Sequence, residues 1–215
     1  FIAVVTYGLY WGVNMFPLAL LNPSAPDVDP AFILKLPFSS SVTYDEKGNT
    51  WAMIGSAVIA DNAMYTGTSG VAGVFNSGGS LLAIGLADFE IGVTVKLDSI
   101  PSDGSVLFDC FRSTAYGGEG FQLYVYSSGA ISFYHRLDEV KSASSTITTG
   151  SYLEVKATRI AGVVRLYVNN TQVATGSMNI AFDSNWTAIG YQYYDFGYGY
   201  YPSRGYFRNA YAKLL

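Results

Sequence analysis

An all-β fold, built as two antiparallel sheets packed face to face, is what this sequence predicts, and three observations predict it. No stretch keeps a 3.6-residue apolar period for three turns, while short runs of valine, isoleucine and aromatic residues recur between clusters of glycine, serine, asparagine and aspartate. Residues 88–98, DFEIGVTVKLD, place Phe89, Ile91, Val93, Val95 and Leu97 on one face and Asp88, Glu90, Thr94, Lys96 and Asp98 on the other, the two-residue period of a strand with one face in a core. About twelve to fourteen strands with short connections are too many for one open sheet. No repeat of roughly 40 residues supports a propeller, so a sandwich remains.

The elements follow in order. Ile33 to Phe38 is a first strand limited by Pro37, and YDEKGNT, residues 44–50, is a turn before Trp51. Short strands are expected at Ser56 to Ala60, Gly70 to Phe75 and Ser80 to Ile84. After the long strand at 88–98, PSDG turns the chain at 101–104 into Ser105 to Phe111, which carries Cys110. Residues 120–136 form a hairpin in which Phe121, Leu123 and Val125 alternate, SSG turns, and Ile131 and Phe133 resume. Tyr152 to Thr158 and Val163 to Val168 form another across RIAG, with Leu153, Val155 and Ala157 opposing Val164, Leu166 and Val168. NNTQ leads into Val173, and Thr187 to Tyr191 and Gly205 to Ala212 close the domain.

Residues 1–22 contain no charge, and NPSAPDVDP at 22–30 breaks both helix and sheet. The chain therefore divides into an apolar arm with a Pro-rich linker, residues 1–30, and one domain, residues 31–215. An apolar stretch of this size is expected to lie against a neighbouring subunit of a homo-oligomer, ahead of a membrane segment or an internally packed tail. Lacking a basic leader and a small-residue cleavage motif, it does not read as a signal peptide.

Twelve basic against sixteen acidic residues, a formal charge of −4, leave no electrostatic footprint for nucleic acid. Cys110, the single cysteine, excludes a disulfide scaffold and a cysteine-cluster zinc site and is expected to be a buried structural thiol. His135, the single histidine, excludes a histidine-pair zinc site and is expected in a surface or hairpin role just after its strand. Asp88 and Glu90 share a face and read as an ordinary solvated strand edge. No metal or cofactor is expected. Asp98, Asp103, Asp109, Asp138, Asp183 and Asp195 form no D-x-D-x-D run, so calcium stays open only as one site assembled across loops. The N-x-S/T triplets at Asn169 and Asn185 read as unmodified turn residues.

The segment YQYYDFGYGYYPSRGYF, residues 191–207, is the candidate ligand-binding surface: Tyr193, Tyr194, Asp195, Tyr198, Tyr200, Tyr201 and Arg204. Tyrosine presents a rigid ring to a sugar C–H face or a protein surface, and its hydroxyl adds a directed hydrogen bond. The alternative is that these tyrosines complete the sandwich or pack on an adjacent subunit.

A succession of phrases carries a family resemblance: GNTWAMIGSAVIA at 48–60, DFEIGVTVKL at 88–97, GFQLYVYSSGAISF at 120–133, YLEVKATRIAGVVRLYVNNTQVATG at 152–176 and TAIG at 187–190. In this order they resemble the concanavalin A-like lectin/glucanase superfamily, and within it the laminin G-like jelly rolls of bacteriophage tail and virion proteins. The resemblance covers roughly residues 31 to 215. It implies a jelly-roll sandwich, to which residues 1–30, outside the resemblance, would add an extended N-terminal arm. Its role would be a carbohydrate-binding or adhesive module on a virion surface, tail or capsid, joined to other virion proteins through residues 1–30 and meeting a host glycan through its loops. Where the family's last strand usually carries an acidic residue, this chain has Gly205, Tyr206, Phe207, Arg208 and Asn209, so no metal or sugar ligand is carried over there. The superfamily's glucanase motif E-x-D-x-x-E is absent too. Polysaccharide hydrolysis therefore ranks behind both adhesion and a decoration role through protein–protein contacts, and the chain is read as no enzyme.

Overall fold

A computed structural model describes residues 29–39, 44–68, 72–76, 81–110, 120–135, 138–182, 186–192 and 201–215. The expected arm, residues 1–22, lies outside them, as does Asn185. Two sheets account for the strands. One contains β1 (Phe32–Leu36), β3 (Val58–Ala60), β4 (Ala63–Tyr65), β6 (Phe89–Ser99), β11 (Leu153–Ile160), β12 (Val163–Val168), β13 (Thr171–Ser177) and β15 (Arg204–Leu214). The other contains β2 (Ala52–Gly55), β5 (Ala72–Asn76), β7 (Ser105–Asp109), β8 (Gln122–Val125), β9 (Ile131–His135), β10 (Asp138–Lys141) and β14 (Thr187–Ile189). The eight-stranded sheet runs β13-β12-β11-β6-β15-β4-β3, and the seven-stranded one β10-β9-β8-β7-β14-β5-β2. Every pairing is antiparallel, the jelly-roll arrangement the alternation predicts. β15 pairs with β6 along one edge, and its other edge is divided between β4 at Tyr206 and Phe207 and β1 at Ala210 to Lys213.

The inward faces meet in one core. Phe89, Ile91, Val93, Val95 and Leu97 of β6 are all buried against Leu123, Val125, Ile131 and Phe133 of the opposite sheet and their neighbours. Phe89, Phe121, Phe133 and Phe182 stack or meet edge to face at 4.9–5.8 Å between centroids, a geometry that adds to the area they bury. Arg159 ends the inward row of β11 and is almost fully buried. Its guanidinium stacks on Phe182 and Phe89 and donates to the carbonyls of Ile180 (2.7 Å), Gly85 (2.8 Å) and Ala87 (2.6 Å). Burial pulls its pKa down, and nearby Asp88 pushes it back up.

The turn at 44–50 is built around buried Asp45. Its carboxylate accepts the backbone N–H groups of Lys47 and Asn49, the Asn49 side-chain amide, and Trp51 Nε1 at 3.3 Å. Asn49 and Trp51 of the phrase GNTW thus supply three of the four donors that hold this turn against the core. At the β12–β13 turn, Asn169 and Asn170 adopt positive φ and Asn169 Oδ1 accepts the N–H of Glu154, so Asn169 is the expected turn residue.

Several expectations are corrected. Leu81 to Ile84 form a turn and no strand: Leu82 is buried, but the only pairing nearby is an isolated bridge between Gly85 and Phe182, and Arg159 takes the carbonyls a ladder would use. β11 continues through Ile160, so the turn is Ala161–Gly162. Val155 faces Val168, Ala157 faces Leu166, and Arg159, in place of the expected Leu153, completes the set opposite Val164. His135 is no surface residue: it lies within β9, is buried, and has its ring 5.9 Å from that of Phe182. Glu90 is on no sheet edge, since β6 lies between β11 and β15; it pairs with Lys213 at 3.2 Å and Lys156 at 3.7 Å. Asp88 accepts the N–H of Ala161 at 2.8 Å. Cys110 is the buried thiol expected, and burial followed by neighbouring Asp109 raises its pKa, leaving it inert.

Candidate functional site

Of the sequence-derived site, Tyr193, Tyr194, Asp195, Tyr198 and Tyr200 lie outside the described residues, while Tyr201 and Arg204 lie within them. Those two serve different sheets. Arg204 opens β15 opposite Ser99 in the eight-stranded sheet. Tyr201, at φ 50°, accepts the N–H of Val106 on its carbonyl and turns its ring, 38% exposed, onto the seven-stranded sheet.

There it meets tyrosines that the motif reading missed. Strand β8 alternates Leu123 and Val125 inward with Tyr124 outward, and Tyr126 continues the outward phase at the hairpin turn. Tyr201 meets Tyr124 edge to face at 5.8 Å, and Tyr124 meets Tyr126 likewise at 4.9 Å. The three rings form a ridge across β7 and β8. An aromatic residue in the solvent phase of an amphipathic strand was the sequence signal for it.

Polar partners fix this ridge. Tyr126 Oη donates to Glu139 at 2.7 Å, Ser132 Oγ donates to the same carboxylate oxygen at 2.6 Å, and Lys141 Nζ lies 3.3 Å from the Tyr126 ring centroid. Tyr124 Oη donates to the Asp103 carbonyl. Burial, then neighbouring Tyr201 and Asp103, push the Tyr124 phenol up to about 12; burial and the bond to Glu139 raise Tyr126 as well. Both therefore stay protonated and able to donate at neutral pH. On the same face, Gln122 Nε2 donates to buried Asp109 at 2.9 Å.

The PSDG turn makes room for Tyr124. Gly104 has φ 87°, and a Cβ there would come 2.1 Å from Tyr124 Oη and 2.6 Å from the Val125 carbonyl oxygen. Gly104→Ala is expected to cost about 1–3 kcal/mol and to displace the Tyr124 ring. Urea unfolding checks the first; a near-ultraviolet circular dichroism spectrum identical to that of the parent would contradict the second.

Two carboxylate pairs on the sheet faces are too widely spaced for hydrolysis. Asp109 and Glu139 share the ridge's face but stand on β7 and β10, three strand spacings or about 14 Å apart, beyond the roughly 9.5 Å limit of an inverting pair. On the other sheet, Glu154 faces Thr94, four residues along β6 from Glu90, again about 13 Å. No group of three or more His, Cys, Asp or Glu residues suited to a metal ion occurs among the described residues, and no helix there is long and apolar enough to cross a membrane.

Fold and surface together define a two-sheet antiparallel jelly roll of lectin type with an aromatic ridge on one face. The chain belongs to the concanavalin A-like lectin/glucanases superfamily, whose model matches residues 74–207. No curated protein sequence matches it. Among solved structures it resembles domain 4 of AbnA, a GH43 extracellular arabinanase from Geobacillus stearothermophilus, in complex with arabinotriose. The TM-score is 0.63 at 15% identity, over 86% of this chain and 93% of that one. It also resembles the binding domain of botulinum neurotoxin DC in complex with SialylT (0.64, 15%, over 86% and 49%) and Trypanosoma rangeli sialidase in complex with 2,3-difluorosialic acid (0.65, 16%, over 89% and 33%). The chain thus spans about half the length of the neurotoxin binding domains it matches. At these identities the likeness is one of fold.

Proposed function

We propose that this domain is a non-catalytic glycan-binding module whose contact surface includes the Tyr201–Tyr124–Tyr126 ridge, and that Tyr193, Tyr194, Asp195, Tyr198 and Tyr200 add contacts to the same ligand. The observation that carries this reading is the ridge itself: three edge-to-face rings, of which Tyr126 is held through its hydroxyl by Glu139 and Tyr124 by the Asp103 carbonyl, with Lys141 alongside. Such rings offer flat apolar area to a pyranose or furanose face at little entropic cost, and the fixed polar groups set its orientation. The likeness to an arabinanase domain in complex with arabinotriose, matched over most of its length, supports the reading. The wide separations of Asp109 from Glu139 and of Glu154 from Glu90 support binding without hydrolysis at those pairs.

The resemblance to virion and tail jelly rolls extends the proposal. On a virion surface, with residues 1–30 joining other virion proteins and the domain repeated in a homo-oligomer, weak single sites would act together on a host glycan. The test is a glycan array probed with the full chain, followed by calorimetry on the best hit. Tyr201→Ala and Tyr126→Ala are each expected to weaken binding about tenfold with melting temperature unchanged. No binding at millimolar glycan, or a native assembly in which Tyr201 is buried against another subunit, would overturn it.

A further inference from the structure

The outer face of the eight-stranded sheet gathers charge that the chain as a whole lacks. Its rows are set by the register of β6. Tyr206 and Lys96 are neighbours in one row, and Lys96 Nζ lies 4.2 Å from the Tyr206 ring centroid and 5.8 Å from that of Tyr152. The next row holds Arg208, Thr94 and Glu154, with the Arg208 guanidinium 4.2 Å from the Tyr152 centroid. Lys35, Tyr211, Gly92, Lys156 and Tyr167 form the third, and Lys213, Glu90, Thr158 and Arg165 the fourth. Together with Arg204 at the head of β15, seven of the twelve basic residues stand on this face. Five carboxylates stand with them: Glu46, Asp88, Glu90, Asp98 and Glu154. Five basic and eleven acidic residues remain elsewhere, so a face at +2 is set in a molecule whose remainder carries −6.

At the β1 end of this face a cleft of about 240 Å³ opens between Phe32, Lys35, Pro37, Glu46, Asn209 and Tyr211. Phe32 and Tyr211 meet edge to face at 5.9 Å, Lys35 is paired with Glu46 at 2.7 Å, and Tyr211 Oη donates to Glu90 at 3.0 Å. The Tyr211 ring lies over Gly92, where a Cβ would come within 2.6 Å of it. The cleft is smaller than the roughly 300–1,000 Å³ of sites for drug-sized molecules, so it admits a ring and not a whole oligosaccharide.

We propose that this face is a second binding surface, separate from the tyrosine ridge, for an acidic polysaccharide, one of whose rings sits in the cleft beside β1. Lysines and arginines would meet the polymer's carboxylate or sulfate groups. The interspersed carboxylates favour a glycan over other polyanions: sugar hydroxyls donate to Glu46, Glu90 and Glu154, whereas a phosphate backbone brings only acceptors and would be repelled there. Aromatic rings between the cations give the sugar faces a place to lie.

Calorimetry of the full chain with polygalacturonate, heparin, neutral arabinan, duplex DNA and phosphatidylserine vesicles tests this. Binding to polygalacturonate or heparin is expected, weakening about tenfold or more between roughly 50 and 200 mM salt. Lys96→Gln with Arg208→Gln should reduce it at least tenfold, as should Lys35→Gln with Lys213→Gln, which keeps the proposal testable if the first pair unfolds the domain. Tyr201→Ala should leave it unchanged. The proposal is overturned if neither acidic polysaccharide binds, if DNA or vesicles bind more tightly than both, if folded double variants bind as the parent does, or if Tyr201→Ala abolishes the binding. Failure of the ridge to bind any neutral glycan would leave these outcomes unaffected.

Discussion

Arg159→Ala is expected to destabilise the domain by about 3 kcal/mol or more, a fall of about 6–12 °C in melting temperature for a protein of this size. The guanidinium is the donor for three carbonyls, those of Gly85, Ala87 and Ile180, and two of the core phenylalanines stack on it. Removing it leaves those oxygens without a donor, at about 1–3 kcal/mol for each one that water does not reach. It also opens a void under Phe182. Arg159→Met refills the void without restoring the donors and should recover only part of the loss. Arg159→Lys retains a charge but lacks the planar fork, so it should fall between Met and the parent. Thermal denaturation of the three variants decides the matter; an alanine variant melting within 2 °C of the parent would show that the carbonyls find other donors.

Gly205→Ala should have the second large effect. At φ 153° its Cβ would stand 2.1 Å from the Lys96 carbonyl oxygen and 2.9 Å from Leu97 Cα. Both obstacles are backbone in β6, so no side-chain rotation relieves them. β15 and β6 would have to separate at the centre of their sheet, and a loss above about 3 kcal/mol is expected. Gly48 supplies the comparison: it too has positive φ, 83°, but a Cβ there meets nothing within 4 Å, so Gly48→Ala should cost only about 1 kcal/mol. Equal midpoints for the two variants in urea would refute the packing account.

The legible parts of this fold are those where alternation is unbroken. β6 was read nearly to its ends because its inward positions are all apolar and its outward ones small, polar or charged. β10, DEVK, offers only Val140 to the core, too little for a period to register. In the stretch AMIGSAVIA the strand expected at Ser56 to Ala60 is β3, but β2 before it goes unread, because Gly55 at φ 65° redirects the chain between two short strands. β4 was missed since Asp61 and Asn62, both at positive φ, make a hairpin turn that was not recognised. Arg159 occupies an apolar slot in the pattern, and only the tertiary neighbours of β11 reveal what a cation does there. Tyr201 stood out by composition; that its ring joins Tyr124 and Tyr126 depended on the strand's phase. The charge of the outer face could not be read at all from a net value of −4, because it depends on which strands lie side by side.

The division of one edge of β15 between β1 and β4 bears on when the domain can form. Residues 32–36 wait for partners at 210–213, and β6 waits for the same strand along its length. A nascent chain would therefore hold β1, β4 and β6 with unfilled hydrogen-bonding edges until β15 emerges, so the eight-stranded sheet closes late and through contacts distant in sequence. During that interval the exposed edges invite pairing between chains, which makes a high local concentration of nascent copies a hazard for folding.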